Sequence, residues 1–285
     1  MQADPNQQRD WRLRQRAAEL SGGEVAFDVF GDGPPVILVH GTPSWSYLWR
    51  NVAPALAEQF TVYVFDLLGY GDSKAKGTDV SIGAQSNLLT ELISQWELET
   101  PAIAGHDIGA AIVLRSHLLD KVPYGRIALA DAVVLNPWMT PTTRHIQAHL
   151  DTYRTMPTHI FERVVAAHMR TTVYHPMSEE AFGAYYDRWR GEGGQEAYLQ
   201  KVAQFDEKYT DEVQSLLGSM RTPVRIIWGE QDAWLEPSIA ERLREIFPNS
   251  DLELIPEAGH FSMEDSPDEV ARTLLDFFSQ NHAPA

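Results

Sequence analysis

Gly105-His106-Asp107-Ile108-Gly109 holds the strongest chemical signal in the chain. The five residues follow a short apolar run at 101–104 and lead into a helical pattern at 110–115. A strand, a tight glycine-flanked turn and a helix form an elbow that lifts one side chain to the tip of a sheet, and the raised residue is commonly serine. Here it is aspartate. A carboxylate with an ordinary pKa of ~3.9 is ionised at neutral pH, so it attacks without help from a base. Serine needs that help. Aspartate at this place shifts the expected chemistry from acyl transfer to displacement at a saturated carbon, with an alkyl ester joining enzyme and substrate. Releasing the ester requires an activated water and a site that holds a tetrahedral oxyanion. The plainer use of Asp107 is to cap the helix that follows it.

A histidine able to activate that water stands in Pro256-Glu257-Ala258-Gly259-His260-Phe261, in a loop after the last expected strand. When neutral, its imidazole can take the proton of the attacking water. Elbow enzymes run nucleophile, acid, histidine along the chain. That order puts the orienting acid at Asp232, in Trp228-Gly229-Glu230-Gln231-Asp232, where a carboxylate fixes the imidazole tautomer and stabilises imidazolium. Asp131, near the end of the preceding core strand, is the alternative acid, and a simple turn aspartate is the plainer reading of Asp232. His40-Gly41-Thr42-Pro43 follows another apolar strand, and the backbone N–H groups of Thr42 and Ile108 would together make the oxyanion hole. His106 is expected to pack or hydrogen-bond locally. His145 and His149 stand four apart on a helix, but no third ligand accompanies them, so no metal and no cofactor is expected. Asp66-Leu67-Leu68-Gly69-Tyr70-Gly71 reads as a turn bracing the core, without chemistry of its own.

The elements that must position these residues are short. Apolar strands are expected at 36–39, 61–65, 101–104, 127–135, 224–228 and 252–255, alternating with helical patterns such as 81–96, 239–246 and 267–278. Residues 47–57 also have helical spacing. Buried strands separated by helices imply a mostly parallel sheet covered on both faces. A hairpin at 16–20 and 24–30, around Ser21-Gly22-Gly23, adds two antiparallel strands at one edge and brings the sheet to eight. Residues 137–220 break the rhythm. They are rich in His, Tyr, Arg and Met, have helical spacing and contain no convincing buried strand. They read as a helical cap, with Gly191-Glu192-Gly193-Gly194 splitting it between two helices, inserted into a core made of 1–136 and 221–285.

Composition narrows the partners. The chain has 285 residues, 44% hydrophobic and 22% charged, with a formal net charge of -17. A strongly acidic surface repels phosphate backbones, so nucleic acid is excluded as the expected partner. Cysteine is absent, which removes disulfides, thiolate nucleophiles and Cys-ligated metals. Residues 1–10 read as a disordered leader, and the polar N-terminus lacks the apolar core of a signal peptide. Apolar runs fall short of the ~18 residues that suggest a membrane span. The expectation is a cytoplasmic enzyme, monomer or homodimer, acting on water and a small, largely apolar molecule.

These motifs, in this order, resemble the α/β-hydrolase fold over nearly the whole chain. More narrowly, His40-Gly41-Thr42-Pro43 with Ser46-Tyr47-Leu48-Trp49-Arg50-Asn51 is similar to haloalkane dehalogenases and their epoxide hydrolase relatives, both of which use an elbow aspartate. The resemblance implies Asp107 as nucleophile, His260 as base and Asp232 as supporting acid, with Asp131 at the family's alternative acid position. This chain departs from dehalogenases at Ile108, where they usually carry a halide-binding Trp, and at Thr42, where many carry Asn. The Arg that follows the nucleophile in fluoroacetate dehalogenases is missing as well. An aliphatic side chain offers a halide no hydrogen bond; Trp138, at the cap entrance, is the substitute donor. In epoxide hydrolases a cap tyrosine protonates the opening ring, and Gly193-Gly194-Gln195-Glu196-Ala197-Tyr198 loosely resembles that motif, with Leu199 in place of its usual Arg. Tyr198 is the first candidate for this acid and Tyr153 the second. Epoxide opening is therefore the leading expectation and dehalogenation the runner-up. A hydrolase fold retired to ligand binding is a third reading, opposed by the complete Asp107, Asp232 and His260 set.

Overall fold

Val36-Ile37-Leu38-Val39 is apolar at every position and wholly buried, as a strand covered on both faces must be. It forms the inner part of β3 (Pro35–Val39) in the computed structural model, which describes residues 16–280. The other strands are β1 (Arg16–Leu20), β2 (Gly23–Phe30), β4 (Thr61–Phe65), β5 (Lys74–Ala75), β6 (Ala102–Asp107), β7 (Arg126–Ala132), β8 (Val224–Gly229) and β9 (Ser250–Ile255). They make one sheet in the order β1-β2-β4-β3-β6-β7-β8-β9, with β5 beside β2. Pairings from β4 through β3, β6, β7 and β8 to β9 are parallel, while β1, β4 and β5 pair antiparallel with β2. Helices Ile82–Gln95, Ile108–Leu118, Ser238–Ile246 and Pro267–Phe278 flank the sheet. The expected leader at 1–10 lies outside the described residues.

The expected sheet of eight becomes nine because β5 contributes two residues, pairing Lys74 and Ala75 with Glu24 and Gly23. The helical spacing at 47–57 resolves into a 3-10 turn, Ser46–Trp49, and a one-turn helix, Ala53–Leu56. Pro54 stands in the first turn of the latter, where its missing N–H costs nothing, whereas a continuous helix would lose a hydrogen bond there. The helix expected at 81–96 begins where Ser81 accepts a hydrogen bond from the Ala84 N–H at 3.3 Å, an ordinary N-cap.

Between β7 and β8 the regular elements are all helical: Pro141–Ala148, Leu150–Arg154, Thr158–Met169, Glu179–Tyr186, Gly191–Ala203 and Lys208–Leu217, with a 3-10 turn at Asp187–Trp189. The division at 191–194 falls one residue early, at Arg190, and the glycines form the first turn of the helix Gly191–Ala203. A side chain at 194 would meet the backbone of Trp189 at 2.3 Å, so the turn needs glycine to fold back this closely. None of the described helices is long and apolar enough to cross a membrane.

Arg50, Tyr185 and Glu264 fasten this insertion to the core. Arg50 Nη2 donates to Glu264 Oε2 at 2.8 Å, and Arg50 Nη1 and Tyr185 Oη both donate to Glu264 Oε1. The two charged side chains are 17% and 6% exposed. Removing one member of such a pair leaves the other charge stranded, which costs about 3 kcal/mol. Glu264→Gln should lower the urea denaturation midpoint accordingly; an unchanged midpoint would show that the clamp contributes no net stability.

Candidate active site

β6 ends on Asp107, whose backbone sits at φ 51° and ψ -125°, a conformation side-chain-bearing residues seldom adopt. The turn is forced by close packing. A Cβ on Gly109 would stand 2.6 Å from the His40 carbonyl oxygen, and one on Gly41 would stand 2.4 Å from the Asp107 Cβ. Asp107 makes no side-chain capping bond to the helix Ile108–Leu118. Its Oδ1 accepts from the Thr42 N–H at 2.8 Å, and its Oδ2 lies 3.4 Å from His260 Nε2. Nε2 itself has no hydrogen-bond partner among the described residues. On the far side of the ring, His260 Nδ1 donates to Asp232 Oδ2 at 2.9 Å. Asp232 is held in turn by the N–H groups of Trp234 and Leu235, at 2.7 and 2.9 Å on Oδ1.

Burial alone would lower the basicity of His260, but the carboxylates of Asp232 and Asp107 on either side hold its pKa well above the usual histidine range. Burial alone would raise Asp107; the charged imidazole and the Ile108 N–H outweigh it and keep the carboxyl below its ordinary value. The carboxylates on either side therefore favour a proton on the imidazole of His260. Asp131 is separate from this line. Its carboxylate accepts from the Gly229 N–H at 2.8 Å and from Ser262 Oγ at 2.6 Å, without a bond to His260. Burial first, and then the charge of Asp232, push its pKa well up.

Two flanking histidines brace the site. His40 Nδ1 donates to the Gly41 carbonyl at 2.9 Å, and its Nε2 accepts from the Leu67 N–H at 2.9 Å, so the turn expected to brace the core does so through the loop that carries Thr42. His106 packs, as one of its two expected uses, with its ring 4.9 Å from that of His260 and 5.5 Å from that of Phe261, and its hydrogen bond is a distant one. Its Nε2 donates to the His260 backbone carbonyl at 2.9 Å, and burial pushes its pKa down to about 3, leaving it neutral. The rings of His145 and His149 are 4.6 Å apart, and no cluster of metal-ligating residues occurs among the described residues.

A narrow cavity adjoins the Thr42 loop, lined by Thr42, Pro43, Trp189, Tyr198, Lys201 and Trp234 among others. Tyr198 is thus placed where a substrate could meet it. Tyr153 is not: its ring packs on His145 and Phe161 at 6.0 and 6.4 Å. Trp138 does not line the cavity, but its ring stands 5.6 Å from that of Phe205, which does, and its buried indole N–H has no hydrogen-bond partner among the described residues.

A sequence profile of the alpha/beta hydrolase family matches residues 36–273. The chain belongs to the α/β-hydrolase family. Within it, haloalkane dehalogenase 2 of Mycobacterium tuberculosis is 29% identical, over 91% of this chain and 93% of the relative. The soluble epoxide hydrolase of Corynebacterium sp. is also 29% identical, over 92% of this chain and 96% of the relative. An alpha/beta hydrolase fold protein from Burkholderia ambifaria superposes with a TM-score of 0.89 at 34% identity, over 93% of this chain and 98% of that structure.

The cavity of this α/β-hydrolase is shaped by residues to which the sequence assigned no chemistry. Trp234 stacks on His260, with ring centroids 5.1 Å apart, and on its other neighbour His168 at 4.2 Å. Trp189 donates its indole N–H to the Pro43 carbonyl at 3.0 Å. Tyr70 Oη donates to Thr42 Oγ1 at 3.2 Å. Lys201 is 4% exposed. One signal was available for it: Lys201 lies three residues after Tyr198 on the same helix, a spacing that places both on one face.

Proposed function

We propose that this α/β-hydrolase opens an electrophilic saturated carbon, with epoxides as the favoured substrates, through an alkyl ester on Asp107. The observation that carries the reading is the division of labour between the two oxygens of Asp107: Oδ1 rests on the Thr42 N–H and Oδ2 faces His260 Nε2. In this reading residues 137–220 are a cap over the catalytic core. Oδ2 attacks a ring carbon, the carbon–oxygen bond of the epoxide breaks, and Tyr198 gives its proton to the departing oxygen. Burial raises the Tyr198 pKa, so the phenol carries that proton in the resting site.

Alkylation neutralises Asp107 and removes one of the two negative charges that raise the His260 pKa. The imidazole then gives up its proton more readily, passes it through solvent to the Tyr198 phenolate, and becomes the base the second step requires. It takes a proton from water, whose oxygen adds to Cγ of the ester. Charge collects on Oδ1, where the Thr42 and Ile108 N–H groups receive it. Collapse breaks the bond from Cγ to Oδ2, the proton left on the added oxygen passes to the departing alkoxide to make the second hydroxyl of the diol, and water's oxygen remains in the Asp107 carboxylate. The proton taken from water stays on His260 and restores the starting protonation of the site.

Halide displacement begins with the same attack and is the second reading, favoured by the dehalogenase relative. Against it, both cavity tryptophans have committed their indole N–H groups, Trp189 to Pro43 and Trp234 to Thr171 Oγ1 at 2.8 Å, and Ile108 offers none. A His260→Gln variant should accumulate a covalent adduct on Asp107, visible by intact-protein mass spectrometry with substrates the wild type consumes. Diol or halide release then identifies the leaving group. Absence of any adduct would refute the ester mechanism.

A further inference from the structure

Lys201 is a buried cation without a counter-ion among the described residues. It projects from the helix Gly191–Ala203 into the wall of the cavity that Thr42, Tyr198 and Trp189 also line. In a chain with 40 acidic residues, no carboxylate among the described residues forms an ion pair with it. Its ammonium has three protons to donate, and it makes one hydrogen bond, a long one of 3.3 Å to the Ala197 carbonyl of its own helix. Aromatic faces supply the rest of its surroundings: Tyr70 at 4.9 Å and Trp189 at 5.5 Å from Nζ. Gly69 leaves room for it, since a Cβ there would come within 3.1 Å of Nζ.

Taking an ammonium out of water is costly unless a partner compensates it. Two ring faces and one strained carbonyl bond compensate only in part. Burial accordingly draws the Lys201 pKa down to about 8, which still leaves the group mostly charged at neutral pH. A purely structural lysine would reach solvent or a carboxylate; this one keeps two N–H groups beside the cavity instead.

We infer that Lys201 anchors an anionic group of the substrate, a carboxylate carried on the same small molecule as the electrophilic carbon. The inference rests on the reading of Asp107 as nucleophile. It turns the largely apolar substrate expected from the sequence into an amphiphilic one: the charged end is held by Lys201 on the cap, and the reacting carbon is presented to Asp107 at the Thr42 end. Lys201 here acts on binding and orientation, so its effect belongs in KM more than in kcat.

Paired probes of one shape and different charge test this. Glycidate and glycidamide are both epoxides and differ only in a carboxylate against a neutral amide. The wild type should favour glycidate in kcat/KM, and Lys201→Met should shrink the glycidate-to-glycidamide ratio about 100-fold, chiefly by raising KM for glycidate. Calorimetric titration should show propionate binding to the wild type more tightly than propionamide, with the difference lost in the variant. Methionine matches the lysine stem and removes a buried charge, so the variant should melt no lower than the wild type; Lys201→Gln serves if it fails to fold. Equal losses on both epoxides, or no preference of the wild type for propionate, would overturn the assignment. The two readings fail separately. Propionate binding without turnover of either epoxide would sink the nucleophile and keep the anchor, whereas a His260→Gln adduct without propionate binding would do the reverse.

Discussion

Asp107→Ala should abolish turnover, lowering kcat/KM by about 10⁴-fold or more, while the protein keeps its fold. Alanine removes the atom that would form the bond to carbon, and no other described carboxylate can substitute: Asp232 is turned to the far side of the imidazole and Asp131 is engaged by Gly229 and Ser262. The backbone strain should persist in the variant, since position 107 stays at φ 51° and alanine tolerates that angle no better than aspartate. A single turnover of the wild type in ¹⁸O-water distinguishes an attacking carboxylate from one that merely directs water. Ester formation predicts an unlabelled diol and one heavy oxygen in the peptide containing Asp107. Label in the first diol released would place the attack on water and leave the elbow aspartate as a base, and an alanine variant within tenfold of the wild type would remove the aspartate from the chemistry altogether.

Much of this site could be read because the chemistry is coded locally. Gly105-x-Asp107-x-Gly109 specifies its own turn, since the flanking glycines are what let the elbow pack against the end of β3, and β6 leads straight into it. Asp232 and His260 each follow a short apolar strand, so their place at one edge of a parallel sheet follows from strand order. What escaped was set by contacts distant in sequence. The ninth strand is two residues whose pairing with β2 depends on a turn some fifty positions away from it, and Lys74-Ala75 has no strand signature. His106 reaches the carbonyl of a residue 154 positions later, a bond that neither residue's neighbourhood announces. The helical segment between β7 and β8 is the extreme case. Its helices have ordinary amphipathic patterns, and which face meets the core decides whether Tyr153, Tyr198 or Trp138 touches the cavity. Lys201 was hidden for the same reason: lysine on a helix is ordinarily a solvated residue, and only the packing of that helix over Tyr70 and Trp189 buries it.

The choice between the two candidate acids makes the sharpest contrast in the site. Asp232→Asn should lower kcat by about 10³- to 10⁴-fold, because an amide on Nδ1 can neither carry the charge that stabilises imidazolium nor insist on the tautomer that leaves Nε2 free to accept from water. The Trp234 and Leu235 N–H groups that fix Oδ1 would still fix the amide oxygen, so the geometry should survive and the loss should be electrostatic. The defect should fall on breakdown of the ester, with adduct accumulating as in the His260 variant. Asp131→Asn should behave differently. Burial and the neighbouring charge of Asp232 push the Asp131 pKa up, toward a neutral carboxyl that asparagine imitates in size and hydrogen bonding. Its amide oxygen can accept from the Gly229 N–H, and kcat should stay within about tenfold. Pre-steady-state measurement of adduct formation and decay in both variants separates the roles. A large loss on Asp131→Asn with a small one on Asp232→Asn would move the acid to the end of β7 and require the imidazole to turn from the partner it now holds at 2.9 Å.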